Sequence, residues 1–173
     1  TIEGDRNSVF DLNEPRLVKF VQKYTSDGIL RLVVESKNAT ILSIVSSGII
    51  IKVSRLTRSG LCQMKNEIDA LKKLGTVNYA PTMYDSIYSE NFACIAMENC
   101  GKDCYDCFNG CTYNEWKNAV ASLSVGLDEM HQKGVVHQDI KLENICYEKE
   151  AKGWKFIDFG LSCVPKFVRK NMN

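Results

Sequence analysis

The chain has almost no net charge, with 22 Lys and Arg against 21 Asp and Glu and a pI near 7.4. That balance gives no general attraction to nucleic acid or to an anionic membrane, and no long block of one sign supplies a local one. Long apolar runs are missing too. Stretches such as 49–51 and 32–34 are far too short to span a bilayer, and the N-terminal TIEGDRNS is too polar for an export signal. There is no internal repeat and no low-complexity linker. What remains is an ordinary globular composition, 45% apolar and 25% charged over 173 residues, enough for one domain or two small lobes. Partners must therefore be read from local sites, with neither nucleic acid nor membrane expected among them.

Eight cysteines would suggest a disulfide scaffold in a short secreted chain. Without an export signal, reduced thiols in a cytoplasmic setting are the expectation. Cys100, Cys104, Cys107 and Cys111 fall within twelve residues and invite a zinc reading. Their spacing matches one helical stripe, which would put the outer two about 16 Å apart at roughly 1.5 Å per residue, too far to surround one ion. Adjacent pairs could share a metal with a second chain; the plainer reading is four small apolar side chains.

Glu14 and Pro15, with Asn13 before them, read as a helix start, and Leu17, Val18, Phe20 and Val21 supply an apolar face ahead of Gly28. From there the chain is dense in β-branched residues, and turn signals at 37–38 and 46–48 divide it into three strands near 29–36, 39–46 and 48–54. Ser59 can cap a helix carrying Leu61, Met64, Ile68, Leu71 and Leu74 at three- and four-residue steps until Gly75. Two more strands are expected at 82–89 and 92–98, giving a five-stranded sheet. Thr112 and Glu115 form a capping box for a long helix whose apolar face runs through Trp116, Val120, Leu123, Leu127 and Met130 to Gly134. Two short strands follow near 144–148 and 154–157.

The segment 135–162, VVHQDIKLENICYEKEAKGWKFIDFGLS, carries the chemistry. It spaces His137, Asp139, Lys141 and Asn144 ahead of Asp158-Phe159-Gly160, which closely resembles the catalytic and metal-binding loops of eukaryotic-type serine/threonine protein kinases. The resemblance covers 29 to about 165 and implies an α+β, protein-kinase-like fold. A five-stranded antiparallel small lobe (29–98) would be followed by the upper, helical part of the large lobe (99–173), with 1–28 as an N-terminal helical extension, a family-specific addition. The implied cofactors are ATP and Mg²⁺. Lys52 then matches the strand lysine that pairs with the α- and β-phosphates, and Glu67 the helix residue that holds it. Asp139 matches the aspartate that orients the acceptor hydroxyl, with Lys141 its companion in serine/threonine-directed members. Asn144 and Asp158 match the Mg²⁺ ligands, both offering hard oxygens. His137 reads as structural. Met97 falls at the gatekeeper position, the backbone of Glu98 to Cys100 would face the adenine edge, and Leu42 or Val34, Ile50 and Ile157 would wall the pocket.

The pattern departs from the family in three places. The hairpin turn expected over the phosphates, Ser36-Lys37-Asn38-Ala39, has no glycine, so Lys37 would have to compensate electrostatically and ATP affinity is expected to be weak. Gln138 stands where the family carries an arginine that receives a phosphorylated activation loop, and a neutral amide cannot form that charge-assisted pair. Thirteen residues follow Gly160 in this sequence, too few for the lower part of the large lobe, whether the chain is naturally short or a piece of a longer one. Apolar surface on the 116–130 helix would then be exposed, favouring a homo- or heterodimer that covers it. Two functions compete: a compact kinase acting on a protein substrate, similar to the reduced kinases of pathogens, and a kinase mimic that binds and inhibits a host kinase or regulator. A bare interaction module is a third.

Overall fold

The computed structural model describes residues 2–3, 14–25, 30–44, 47–54, 57–89, 92–101, 112–148 and 153–165. Five antiparallel strands form the sheet expected from the β-branched runs: β2 (Leu30–Glu35), β3 (Ala39–Ile44), β4 (Ile49–Ser54), β5 (Met83–Ser89) and β6 (Phe92–Glu98), in the order β2-β3-β4-β6-β5. A two-residue strand the sequence did not signal, β1 (Ile2–Glu3), adds a parallel edge to β2. Helix α1 (Pro15–Val21) starts as the sequence suggests, with the Glu14 carboxylate accepting from the Arg16 amide, but it ends well short of Gly28.

Alternation along the central strands sends side chains to two cores. Leu42, Ile44, Ile51, Val53, Cys94 and Ala96 pack outward against Leu17, Phe20 and Val21 of α1. Ala93, Ile95 and Met97 face inward, onto Met64, Ile68, Leu71 and Leu74 of α2 (Arg58–Leu74). That inner core continues without a break into Met130, Val135, Ile145, Phe156 and Phe159, so one apolar body joins the sheet to the segment carrying the motif. The cap of α2 is Thr57, whose hydroxyl accepts from the Gly60 amide at 3.0 Å, and not Ser59, which lies inside the helix. Gly75 ends it at φ 68°, a left-handed conformation that glycine adopts at no steric cost.

Helix α3 (Tyr113–Gln132) begins at the Thr112/Glu115 capping box, with both reciprocal bonds formed. It packs along a narrow stripe, Ala119, Gly126 and Met130, and leaves Trp116, Val120 and Val125 at 37%, 54% and 60% exposure. The chain then turns at Gly134 into the catalytic-loop segment and the hairpin of β7 (Ile145–Glu148) and β8 (Gly153–Phe156). No helix among the described residues is long and apolar enough to cross a membrane.

Candidate functional site

Lys52 sits on β4, the middle of the sheet, and points inward. Strand pairing sets Ile41 and Ile95 beside it, so the ammonium emerges from apolar walls where it needs compensation. It has two partners: Nζ lies 2.6 Å from Glu67 Oε2 on α2 and 2.8 Å from Asp158 Oδ1. Lys52 and Glu67 are almost wholly buried, while the Asp158 side chain is 48% exposed. Burial opposes the lysine's charge, but the two carboxylates outweigh it and hold the ammonium well above the ordinary lysine range. Asp158 is depressed, because Lys52 overcomes its burial. Glu67 is raised, since deep burial and the nearby Asp158 charge exceed what one shared ammonium returns. The triad therefore carries a formal excess of one negative charge, directed toward the exposed Asp158.

A second cluster forms around Asp139. Asn144 Nδ2 donates to Asp139 Oδ2 at 2.8 Å and to its main-chain oxygen at 2.9 Å, and Lys141 Nζ lies 3.0 Å from the same carboxylate oxygen. The bond that Lys141 donates to Asp139 raises the pKa of this half-exposed lysine. Asn144 is tied to the strand before Asp158, since its carbonyl accepts from the Ile157 amide at 2.9 Å. With the Asn144 NH₂ committed to Asp139, its Oδ1 is the end left for a cation, and Asn144 and Asp158 are the residues here whose hard oxygens could hold Mg²⁺.

His137 clamps the two clusters together. Its Nε2 donates to the Ile157 carbonyl at 3.0 Å, its Nδ1 accepts from the Asp139 amide at 3.3 Å, and its ring lies 4.7 Å from that of Phe159. Burial pushes its pKa below the usual histidine value. Asp158 and Gln138 both adopt left-handed backbone, at φ 61° and 64°, the sharp bends that aim the neighbouring side chains. Asn66 of α2 donates to the Gly160 carbonyl at 3.1 Å, and Val136 and Cys163 exchange both backbone hydrogen bonds. These fasten the Asp158 segment from both sides.

Met97 is buried on β6 opposite Ile50. Glu98 follows as a strut whose weight the sequence did not reveal. One carboxylate oxygen pairs with the buried Lys155 of β8 and the other accepts from the Thr82 amide at 3.0 Å. The bonds to Lys155 and Thr82 outweigh burial and depress the Glu98 pKa. A charge within each of the apolar runs FACIAME and WKFI was the available signal. The Asn99 amide donates to Gly48, and Cys100 is buried beside it. Among the described residues no group of three or more His, Cys, Asp or Glu has metal-holding geometry, and Cys62, Cys94, Cys100, Cys146 and Cys163 are outside any disulfide. Cys104, Cys107 and Cys111 lie outside the described residues.

The expected wall at Leu42 is corrected. It is fully buried on the α1 side, because its register partner is Ile51 rather than Lys52. A bulge between Leu32 and Val34 shifts the phase of β2 and brings Val34 opposite Ile41, on the Lys52 face. The turn at 36–39 is closed by Ser36, whose Oγ donates to the Ala39 carbonyl at 2.9 Å and accepts from the amides of Ala39 and Asn38 at 3.1 and 3.3 Å.

Comparison with known proteins agrees with this geometry. The family profile described as "Protein kinase domain" matches residues 32–171. The chain belongs to the protein kinase family. Within that family it is similar to serine/threonine-protein kinase pakE of Dictyostelium discoideum, 37% identical over 123 residues, which cover 65% of this chain and 12% of the relative. It is 33% identical over 104 residues to myosin light chain kinase family member 4 of Mus musculus, covering 57% of this chain and 27% of that protein. CDPK-related kinase 3 of Arabidopsis thaliana is 33% identical over 121 residues, 66% of this chain and 20% of its own length. The chain thus spans between 12% and 27% of the length of these relatives.

Proposed function

We propose that this kinase-family chain binds ATP with Mg²⁺ in the cleft between the sheet and the β7–β8 hairpin and transfers the γ-phosphoryl group to a serine or threonine hydroxyl of a protein. The observation that carries the reading is the meeting of Lys52 with Glu67 at 2.6 Å and Asp158 at 2.8 Å, residues from three separate stretches of sequence. Lys52 would neutralise the α- and β-phosphates, with Glu67 fixing its position. Asn144 and Asp158 would hold Mg²⁺, which supplies charge neutralisation between the phosphates. Asp139 would orient the acceptor hydroxyl and take its proton as the new P–O bond forms and ADP departs, while Lys141 would balance charge on the transferring group. Met97, Ile50 and Val34 would border the base, and the backbone from Glu98 to Cys100 would meet its polar edge. We place this activity in the cytoplasm.

A second reading, a mimic that binds and inhibits a host kinase or regulator, draws support from the exposed Trp116 and Val120, which lie one turn apart on α3 and offer apolar surface to a heterodimer or homodimer. One assay separates the two. Wild type, Asp158→Ala and Asp139→Ala are incubated with radiolabelled ATP, Mg²⁺ and a generic protein substrate. Incorporation by wild type that falls by at least about 100-fold in both variants supports the enzyme. No incorporation by any of the three sinks it and leaves the mimic.

A further inference from the structure

The turn at 36–39 joins β2 to β3, the strand that pairs with the Lys52-bearing β4. Ala39 is two residues along β3 from Ile41, the register partner of Lys52, and so about 7 Å further out at roughly 3.4 Å per residue. A run of backbone amides on the concave side of such a turn is a natural seat for phosphate oxygens. Here the seat already has an oxygen in it. Ser36 Oγ accepts from the Asn38 and Ala39 amides at 3.3 and 3.1 Å, and its own proton goes to the Ala39 carbonyl at 2.9 Å, which also accepts from the Ser36 amide at 2.9 Å. The hydroxyl is used as both donor and acceptor, so the turn is closed on itself and the Asn38 and Ala39 amides are satisfied without a ligand.

We propose that Ser36 is an internal competitor for the phosphate groups of the nucleotide: its hydroxyl occupies the turn amides that would otherwise bind the β- and γ-phosphate oxygens, and so lowers affinity for the triphosphate but not for the nucleoside. The inference rests on the reading of the cleft as a nucleotide site. A phosphate oxygen must displace the hydroxyl before it gains these two amides, so the gain is offset by the bonds broken. Lys37, exposed at the tip of the turn, is left as its cationic contact there. A glycine or alanine at position 36 removes the competing oxygen; a threonine keeps it.

The test titrates MgATP and, separately, adenosine into the full chain carrying Ser36, Ser36→Gly, Ser36→Ala or Ser36→Thr. Releasing one net hydrogen bond's worth of competition should tighten MgATP binding about threefold to tenfold in the Gly and Ala variants. Adenosine affinity should stay unchanged throughout, and Ser36→Thr should behave as wild type. Unchanged or weaker MgATP binding in both the Gly and Ala variants, with adenosine still bound, overturns the role of Ser36 and leaves the cleft reading standing. If no variant binds either adenosine or MgATP, the cleft reading fails and this inference fails with it.

Discussion

Replacing Lys52 by methionine tests the buried charge cluster directly. Methionine is close in volume and removes only the ammonium, leaving Glu67, with a side chain 2% exposed, facing Asp158 with no cation between them. At 2.6 Å the contact with buried Glu67 is worth about 6 kcal/mol in an effective dielectric of about 20, and the one with half-exposed Asp158 less, because water screens it. Most of that is offset by the several kcal/mol it costs to desolvate each ion, so the pair contributes little net. Removing one partner is different, because the desolvation cost of Glu67 stays while its compensation goes. The expected loss is about 3–5 kcal/mol, less whatever proton uptake by Glu67 returns. The raised Glu67 pKa indicates that this escape is already partly in reach. The double variant Lys52→Met/Glu67→Leu should recover most of the loss, since an apolar pair of similar size suits the walls of the inner core. Urea melts of wild type, the single and the double variant measure this, with Lys65→Met as reference. Lys65 and Asp69 are an exposed pair one helical turn apart, and breaking them should cost at most about 0.5 kcal/mol. Equal small losses for Lys52→Met and Lys65→Met would refute the reasoning. So would a double variant no more stable than Lys52→Met.

Gly126 of α3 stands where an added β-carbon would meet Tyr79 Cβ at 2.7 Å, so Gly126→Ala should lower stability in a urea melt, because overpacking of about 1–3 kcal/mol outweighs the helix-propensity gain of about 1 kcal/mol. A more stable Gly126→Ala would mean that α3 does not dock as described. His137 gives a pH signature: its folded pKa lies below 6.5, so between that value and 6.5 the unfolded chain binds more protons, and stability falls as pH drops through this window. Thermal melts from neutral pH downward should show that slope in wild type and lose it in His137→Asn, which cannot titrate; an unaltered slope would place its origin elsewhere.

Much of the fold was legible because local signals agreed with tertiary demands. The 3.6 period of α2 and the β-branched runs of β3 and β4 each describe a face that is buried, and the Thr112/Glu115 box marks where α3 begins. The pairing of Lys52 with Glu67 was legible for another reason: a lysine inside an apolar strand must find a carboxylate, and the next helix offers one. What the sequence hid depends on register. Leu42 and Ile41 are adjacent apolar residues, and only their pairing, with Ile51 and Lys52 respectively, decides which of them faces the cleft. The bulge that returns Val34 to that face has no marker in LRLVVE.

Glu98 shows why register matters to function as well as to fold. The residue was picked out for its backbone, yet its side chain joins β6 to Lys155 on β8 and to the Thr82 amide, so the end of β6 is fixed both to the sheet side and to the β7–β8 hairpin. The half-cleft bearing Lys52 and the one bearing Asp158 are thus held at two separated points, through Glu98–Lys155 at the back and through Lys52–Asp158 at the front. On the proposed reading, a nucleotide entering between them would meet a base edge and a lysine already positioned. The turn at 36–39 is the exception: Ser36 already holds the Asn38 and Ala39 amides, and on the reading proposed for it, binding there would begin by undoing a bond that the chain has made with itself.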